Sequence, residues 1–228
     1  MPTKSQCPYC SFKSIAVESL THEELTIMNE NCAEVICKPG EHIIKEGTLS
    51  SHIAYLKCGL AKLHMTGPSG QDQILKILTQ GSYIGIQTIL TDKIHRYSAS
   101  ALKECTVCYV DINIFKELIK RNPQFAFQMI IYLCTDELSY FERFINQTQK
   151  NVNGRLADAL IYFSSTIFRN SEFALPLSRN DLSALIGARR ESVARSIKEF
   201  TDTKIIAVRG KSFEILNQDM LEKISRNG

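Results

Sequence analysis

The chain has 228 residues, of which 44% are hydrophobic and 22% are charged, and its formal net charge is +3. These values fit a globular protein of one large or two smaller domains. No segment approaches 18 consecutive apolar residues, and the first ten residues, MPTKSQCPYC, contain no apolar signal core. We therefore expect a cytoplasmic protein without a membrane partner, whose eight cysteines are reduced thiols, metal ligands or redox sensors.

The first half of the chain is predicted to form a small β-domain behind a short helix. Thr21 and Glu24 form a capping-box pattern that starts a helix over HEELTIMNENCAEV. From Glu34 to Asp111, short β-runs are separated by seven of the eleven glycines. Seven runs have strand length: HIIK, HIAYLK, LAKLHM, DQILKIL, SYIGI, SASAL and TVCYVDI. This regular alternation of strands and turns predicts an antiparallel roll or barrel.

A helical pattern replaces the β-pattern at Ile112. A short helix, IFKELIK, ends near Asn122, and a long helix starts at Pro123, a residue favoured in the first turn. Apolar positions then recur every three or four residues, at Ile130, Cys134, Leu138, Phe141, Ile145 and Thr148. This spacing predicts a helix that packs against its twin in a homodimer. The alternative is a helix buried within its own chain.

The last third begins near Asn151 with an amphipathic segment, NGRLADALIYFSSTIF. LSRNDLSALIGARRESVARSIKEF follows and predicts two helices joined by a short turn. Ser178 and Asp181 supply a capping box for the first helix, and Gly187 supplies the positive φ that ends it. The apolar face of the second helix is predicted to comprise Val193, Ala194, Ile197 and Phe200.

This packing leaves Arg189, Arg190, Glu191, Ser192 and Arg195 pointing outward. Arginine and glutamate at the start of an exposed second helix are side chains that read base edges in a DNA major groove. Residues 179–211 also carry eight Lys or Arg against four Asp or Glu, which favours a polyanionic partner. KIIAVRGKSFEIL then predicts a two-stranded wing. The alternative is an ordinary helical hairpin with a solvated charged face.

Together, these segments resemble the CRP/FNR family of bacterial transcription regulators. The resemblance runs from about Cys7 to Ile224, and its most specific segments are KPGEHIIKEG, YLKCGLAKL and GARRESVARSIKEF. It implies an α+β protein with a cyclic-nucleotide-binding-like antiparallel β-roll as sensor domain over residues 1–122. A dimerisation helix over 123–150 and a winged helix-turn-helix domain over 151–228 complete the expected organisation.

The resemblance also implies a function: a homodimer that binds double-stranded DNA at a palindromic promoter site and contacts RNA polymerase. Arg190, Glu191 and Arg195 match the base-contacting positions of the family, and a half-site with a G·C pair, of TGA type, is expected. Phosphate contacts are expected from four further residues: Arg179, Arg189, Ser192 and Lys211. Arg189 departs from the family pattern, which has Ser or Thr there, so the start of the second helix lacks a cap.

The sequence argues against two effectors that relatives bind, cyclic AMP and haem. Relatives that bind cyclic AMP use a Gly-Glu pair and an Arg-Ser pair, but here Ile86 replaces the glutamate and Tyr97 replaces the arginine. Arg96 lies one residue away, and in a strand a shift of one residue turns the side chain to the opposite face. Cyclic AMP is therefore disfavoured. The Cys and His used by haem-sensing relatives are also absent from IGIQT.

The cysteines leave several alternatives open. FNR-type relatives hold an iron–sulfur cluster on three N-terminal cysteines and one in the roll, and Cys7, Cys10 and Cys108 match three of these. The fourth ligand would have to come from Cys32, Cys37 or Cys105. A single CxxC also suits zinc or a reversible disulfide, and the thiols could have no role. Cys58, Cys105 and Cys134 are expected to be small buried side chains.

Two other functional classes are alternatives to DNA binding. A metal-dependent enzyme of the cupin type needs a His-x-His motif, and none of the five histidines forms one. We therefore expect no enzymatic activity. A ligand-binding module that acts on a protein partner is the other alternative, but it would leave the basic segment and its Arg–Glu–Arg face unexplained.

Overall fold

The protein is described by a computed structural model that covers residues 3–4, 7–68, 70–88 and 93–228. It folds as two compact units, Met1–Glu137 and Leu138–Gly228, and the boundary between them falls inside one long helix. This boundary does not test the three-part division expected from the sequence, which stays a prediction. Within the described residues, no helix is long and apolar enough to cross a membrane.

The first unit is a β-roll with short helices before and after it. Its strands are β1 (Thr3–Lys4), β2 (Cys32–Cys37), β3 (His42–Ile44), β4 (His52–Cys58), β5 (Ala61–Thr66), β6 (Asp72–Leu78), β7 (Tyr83–Ile84), β8 (Ser98–Ala101) and β9 (Cys105–Asp111). Its helices are α1 (Ile15–Glu18), α2 (His22–Glu30), α3 (Ile112–Arg121) and the first part of α4 (Pro123–Gln149), with short 3₁₀ helices at Cys7–Tyr9 and Ile86–Thr88.

Two antiparallel sheets form the roll, which confirms the predicted architecture. The larger sheet has the strand order β1-β2-β9-β4-β7, and the smaller has β3-β8-β5-β6. Between the sheets lies an apolar core that includes Leu56, Ala99 and Val107, all fully buried. A second core joins the larger sheet to the helices through Phe115 and Phe125.

The capping box at the start of α2 is confirmed, but the predicted end of this helix is wrong. Thr21 and Glu24 bond each other's backbone N–H groups as expected. The helix ends at Glu30, and Cys32–Cys37 forms β2, which pairs with β9 along its whole length. Residues 32–35 therefore belong to the sheet, because pairing with the apolar strand β9 outweighs the weak local helical preference.

The second unit begins with the last turns of α4. It continues with α5 (Val152–Ile161), a π-helical segment (Tyr162–Phe168), β10 (Glu172–Ala174), α6 (Arg179–Ile186), α7 (Arg190–Asp202), β11 (Ile206–Arg209), β12 (Ser212–Ile215) and α8 (Gln218–Asn227). The predicted helix-turn-helix is thus α6 and α7, and the predicted wing is β11 and β12.

The wing contains a third strand that the sequence did not predict. β10 pairs with β12, so the sheet order is β10-β12-β11. Phe173 of β10 stacks on Phe213 of β12, with 6.2 Å between the ring centroids. Helix α8, whose Leu221 is fully buried, was not predicted either. β10 has only three residues, too few for a periodic pattern, but α8 has ten residues and an amphipathic sequence that could have been recognised.

Candidate nucleic-acid interface and sensor site

The turn between α6 and α7 has the geometry that the sequence predicted. The Ser178 hydroxyl accepts a hydrogen bond from the Asp181 backbone N–H at 3.0 Å, and the Asp181 carboxylate accepts from the Ser178 N–H at 3.1 Å. Gly187 ends α6 in the left-handed region, with φ of 61°. Leu182 and Ile186 are buried, so α6 is fixed against the rest of the unit and α7 starts at a defined place.

The first turns of α7 place its charged side chains on the surface. Arg190, Glu191 and Arg195 are all exposed. The buried face consists of Val193, Ser196, Ile197 and Phe200. The prediction that Ala194 lies on this face is wrong, because Ala194 is exposed and Ser196 is buried in its place. Of the side chains expected to point outward, Arg189, Arg190, Glu191 and Arg195 are exposed and Ser192 is half-buried.

Arg189 occupies the N-cap position of α7 and makes no side-chain capping bond. Its side chain is exposed. The free backbone N–H groups and the positive end of the helix dipole therefore lie next to an exposed cation. This arrangement favours an anion, such as a DNA phosphate, at the start of α7.

The other three predicted phosphate contacts have different surroundings. Ser192 is half-buried, and its hydroxyl accepts a hydrogen bond from the Arg195 guanidinium at 3.4 Å. Lys211 is exposed at the tip of the wing. The Arg179 guanidinium lies over the Phe213 ring, 5.1 Å from its centroid, and burial lowers its pKa. Packing of the wing thus accounts for the position of Arg179.

An apolar stripe runs along the exposed side of α4. Four members of the set predicted from the sequence are about half exposed: Ile130 (55%), Leu138 (62%), Phe141 (52%) and Ile145 (48%). Cys134 is exposed on the same stripe, so the expectation that it is buried within the chain is wrong. Cys105 is buried as expected, and Cys58 is partly buried. Side chains this apolar are rarely left uncovered in a row.

Four cysteines line one small cavity of the first unit, with a volume of about 50 Å³. They are Cys7, Cys10, Cys32 and Cys108. Most of the remaining lining is apolar, and it includes Val17, Met28, Val110 and Phe115. The three cysteines selected from the sequence are therefore brought together, and Cys32 joins them.

The thiol of Cys32 interacts with two of the others, Cys108 and Cys7. Hydrogen bonding to Cys108 and Cys7, together with burial, raises the pKa of Cys32. The hydrogen bond from Cys32 lowers the pKa of Cys108. Cys10 lies at the edge, where its sulfur accepts a hydrogen bond from the Phe12 N–H at 3.4 Å. The eight cysteines all lie within the described residues and form no disulfide bond.

Comparison with protein-family models gives two matches. Residues 34–122 match the cyclic nucleotide-binding domain, and residues 154–224 match the Crp-like helix-turn-helix domain. The chain belongs to the CRP/FNR family. It is accordingly a regulator of transcription with a helix-turn-helix DNA-binding domain, and this family consists of regulators, not enzymes.

Individual relatives agree with this assignment. The fumarate and nitrate reduction regulatory protein of Vibrio cholerae is 25% identical, over 96% of this chain and 90% of its own. The transcriptional activator protein Anr of Pseudomonas protegens is 24% identical, over 94% and 90% of the two chains. Among solved structures, a putative CRP/FNR regulator from Eubacterium rectale has a TM-score of 0.81 at 16% identity, covering 94% of this chain and 99% of that one.

The residues at the positions that bind cyclic AMP in relatives differ here from the cyclic-AMP-binding pattern. Tyr97 is buried, and its hydroxyl accepts a hydrogen bond from the Gly85 N–H at 3.0 Å and donates one to the Gln87 side chain at 2.5 Å. Arg96 is exposed and Ile86 is buried. The roll therefore places a tyrosine hydroxyl, in place of a guanidinium, beside the Gly85 amide. Burial raises the pKa of Tyr97 to about 12.

The smaller sheet contains a polar chain that the sequence did not predict. The Ser100 hydroxyl lies 2.9 Å from His64 Nε2 and 3.0 Å from His42 Nδ1. His64 Nδ1 lies 3.2 Å from the Asp72 carboxylate. These histidines are isolated in the sequence, and only the pairing of β3, β8, β5 and β6 brings them together. Ser100 and His64 are both buried, and burial lowers the pKa of His64.

Proposed function

We propose that this regulator binds as a homodimer to an inverted-repeat DNA site and reads one half-site with each α7. The observation that supports base reading is the exposure of Arg190, Glu191 and Arg195 at the start of α7. An arginine can donate twice to guanine, and a glutamate can accept from the cytosine amino group. A half-site that contains a G·C pair follows from this chemistry.

Contacts with the phosphates of the DNA backbone are proposed for Arg189 and Ser192, at the start of α7, and for Lys211, on the wing. Phosphate contacts fix the register of a protein on the duplex but carry no sequence information. Arg179 is a weaker candidate than the sequence suggested, because its guanidinium already covers Phe213.

The dimer is proposed to form through the apolar stripe on α4. A second copy of the same helix offers the same stripe, and the three–four spacing suits the packing of two such helices. In a twofold dimer, the two recognition helices reach major-groove faces about 34 Å apart along the DNA. RNA polymerase is the further partner that membership of this family implies.

Selection from a random DNA library, followed by titration with salt, tests base reading. We expect a palindromic site and a steep loss of affinity with salt. Arg190→Ala or Arg195→Ala should weaken the selected site by about 1–3 kcal/mol and relax selectivity at one base pair. Arg189→Ala should weaken all sequences about equally, and Lys223→Ala on α8 is the matched control. Equal weakening on all sequences by Arg190→Ala and Arg195→Ala would refute direct readout.

Sedimentation of the full chain tests the dimer. Leu138→Glu and Phe141→Glu place a charge on the stripe and should yield monomers that bind a palindrome poorly. Glu142→Gln, an exposed neighbour on the same helix, should leave the dimer intact. A monomeric wild-type protein that still binds the palindrome tightly would overturn this part of the proposal.

The signal is proposed to act on the first unit. Tyr97 stands where cyclic-AMP-binding relatives place an arginine, and an anionic ligand there would lose its hydration without meeting a buried cation. The cavity lined by four cysteines is the candidate sensor site. An iron–sulfur cluster, zinc or a reversible disulfide would each use such thiols.

A further inference from the structure

The position of Cys32 narrows the choice of sensor chemistry. The spacing of cysteines in the sequence leaves three candidates for a fourth thiol ligand: Cys32, Cys37 and Cys105. The structure separates them. Cys37 and Cys105 face each other across β2 and β9 and belong to the core between the two sheets. Cys32 instead packs against the other core, the one that contains Cys7.

The register of β2 and β9 explains why Cys32 reaches Cys108. Cys32 pairs with Val110, and Glu34 pairs with Cys108, so Cys32 and Cys108 lie diagonally on the same face of the sheet. The N-terminal segment then brings Cys7 to this face, where the Cys7 N–H donates to the Asn29 side chain at 2.9 Å. Three separate segments thus deliver four thiols to one cavity.

We propose that Cys32 completes a four-cysteine iron–sulfur site with Cys7, Cys10 and Cys108. Four thiolates are the ordinary ligand set of such clusters. Cys32 takes the role that a third N-terminal cysteine has in the FNR-type relatives, although it lies on β2 and outside the N-terminal segment. This inference deepens the sensor part of the proposed function and is independent of which DNA sequence is bound. When bound, such a cluster supplies one-electron redox chemistry.

The arrangement of the thiols favours a cluster over one metal ion. A single zinc ion needs its sulfur ligands at about 2.3 Å from one point, whereas here the four thiols line a cavity of about 50 Å³. A four-iron cluster bonds each thiolate through a different iron atom, so its four sulfur ligands do not have to meet at one point.

The charges around the cavity fit an anionic occupant. Lys13 and Lys57 both line it. The Lys57 ammonium lies 2.7 Å from the carboxylate of Glu34, an acidic side chain near Cys108, and offsets its negative charge. Thiolate ligands bring negative charge into a largely apolar cavity, and adjacent cations lower the cost of burying that charge.

Anaerobic purification of the full chain, with chemical reconstitution by ferrous iron and sulfide, tests the inference. The readouts are visible absorption and the iron, sulfide and zinc content per chain. We expect a brown protein with about four iron and four sulfide per chain, the content of a [4Fe–4S] cluster held by four cysteines. Cys32→Ser should lose most of the absorption and iron. Cys37→Ser and Cys105→Ser are the matched controls and should keep both.

Several outcomes would overturn the inference. Cluster content that survives Cys32→Ser but is lost in Cys37→Ser or Cys105→Ser would assign the fourth ligand elsewhere. Stoichiometric zinc without iron would make this a single-ion site. A metal-free protein in which peroxide links Cys32 to Cys7 or Cys108, as mapped by mass spectrometry, would make it a disulfide switch. Circular dichroism of each variant separates misfolding from ligand loss, and failure of DNA binding alone would leave these readouts unaffected.

Discussion

Arg155 is predicted to hold the end of α4 against the helix-turn-helix, within the second unit. Its guanidinium donates from Nη1 to the carbonyls of Gln147 at 2.9 Å and Lys150 at 2.8 Å, and from Nη2 to the carbonyl of Gly187 at 3.4 Å. The first two carbonyls lie at the C-terminal end of α4, and the third belongs to the C-cap of α6. The carbonyls at the C-terminal ends of α4 and α6 carry partial negative charge and lack hydrogen-bond partners within their helices. The half-buried guanidinium of Arg155 donates hydrogen bonds to both ends.

The loss of stability on removal of the Arg155 guanidinium follows from its hydrogen bonds. A hydrogen bond to a charged group contributes about 1.5–3 kcal/mol, and only the two short bonds are counted here. Arg155→Met keeps the packing of the stem and should lower the free energy of unfolding by about 3 kcal/mol, the lower limit for two such bonds, because the site is only half-buried. The stability of Arg155→Lys should lie between that of the wild type and that of Arg155→Met, because a single ammonium cannot reach three carbonyls as the planar guanidinium does.

Urea unfolding of the full chain, followed by circular dichroism, measures this effect. Arg169→Met, at an exposed arginine of the same unit, is the control and should change stability by less than about 0.5 kcal/mol. If Arg155→Met behaves like Arg169→Met, water replaces the guanidinium without loss and the reasoning fails. A DNA-binding measurement on the same variants then shows whether the position of α7 depends on this contact.

Three further predictions concern stability. Ser178→Ala removes the cap of α6 and should cost about 1 kcal/mol in the free energy of unfolding, whereas an unchanged urea midpoint would show that the capping box is dispensable. Tyr97→Phe leaves the Gly85 N–H without its partner and should cost about 1–3 kcal/mol, measured by thermal unfolding; equal melting temperatures would refute that role of the hydroxyl. His64 faces Asp72, Lys62 and His42, and burial lowers its pKa below the ordinary 6.5. The unfolded chain therefore binds more protons below pH 6.5, and stability should fall as the pH drops below that value; His64→Gln should flatten this dependence, and an identical slope in the variant would assign it to other groups.

Local patterns were sufficient to predict the helix-turn-helix of the second unit. The capping box at Ser178, the glycine at 187 and the apolar spacing of α7 are each decided within a few residues, and the structure has all three. Ala194 shows the limit of such patterns. It fits the apolar pattern by residue type, but the small hydroxyl residue Ser196 occupies the buried position because the face is set by packing.

The cysteine cavity could not be predicted from spacing, because its members come together only through the sheet. The local pattern places Cys32 at the end of a helix, where its side chain would follow the helical period of 3.6 residues and not the two-residue period of a strand. Its true place depends on the pairing of β2 with β9, which joins residues between 68 and 78 positions apart. The same pairing excludes Cys37 and Cys105 as the fourth thiol ligand, because side chains alternate along a strand and Cys32 and Cys37 therefore lie on opposite faces of the sheet. The register of one strand pair thus selects the candidate fourth ligand, and a shift of one residue would have selected another.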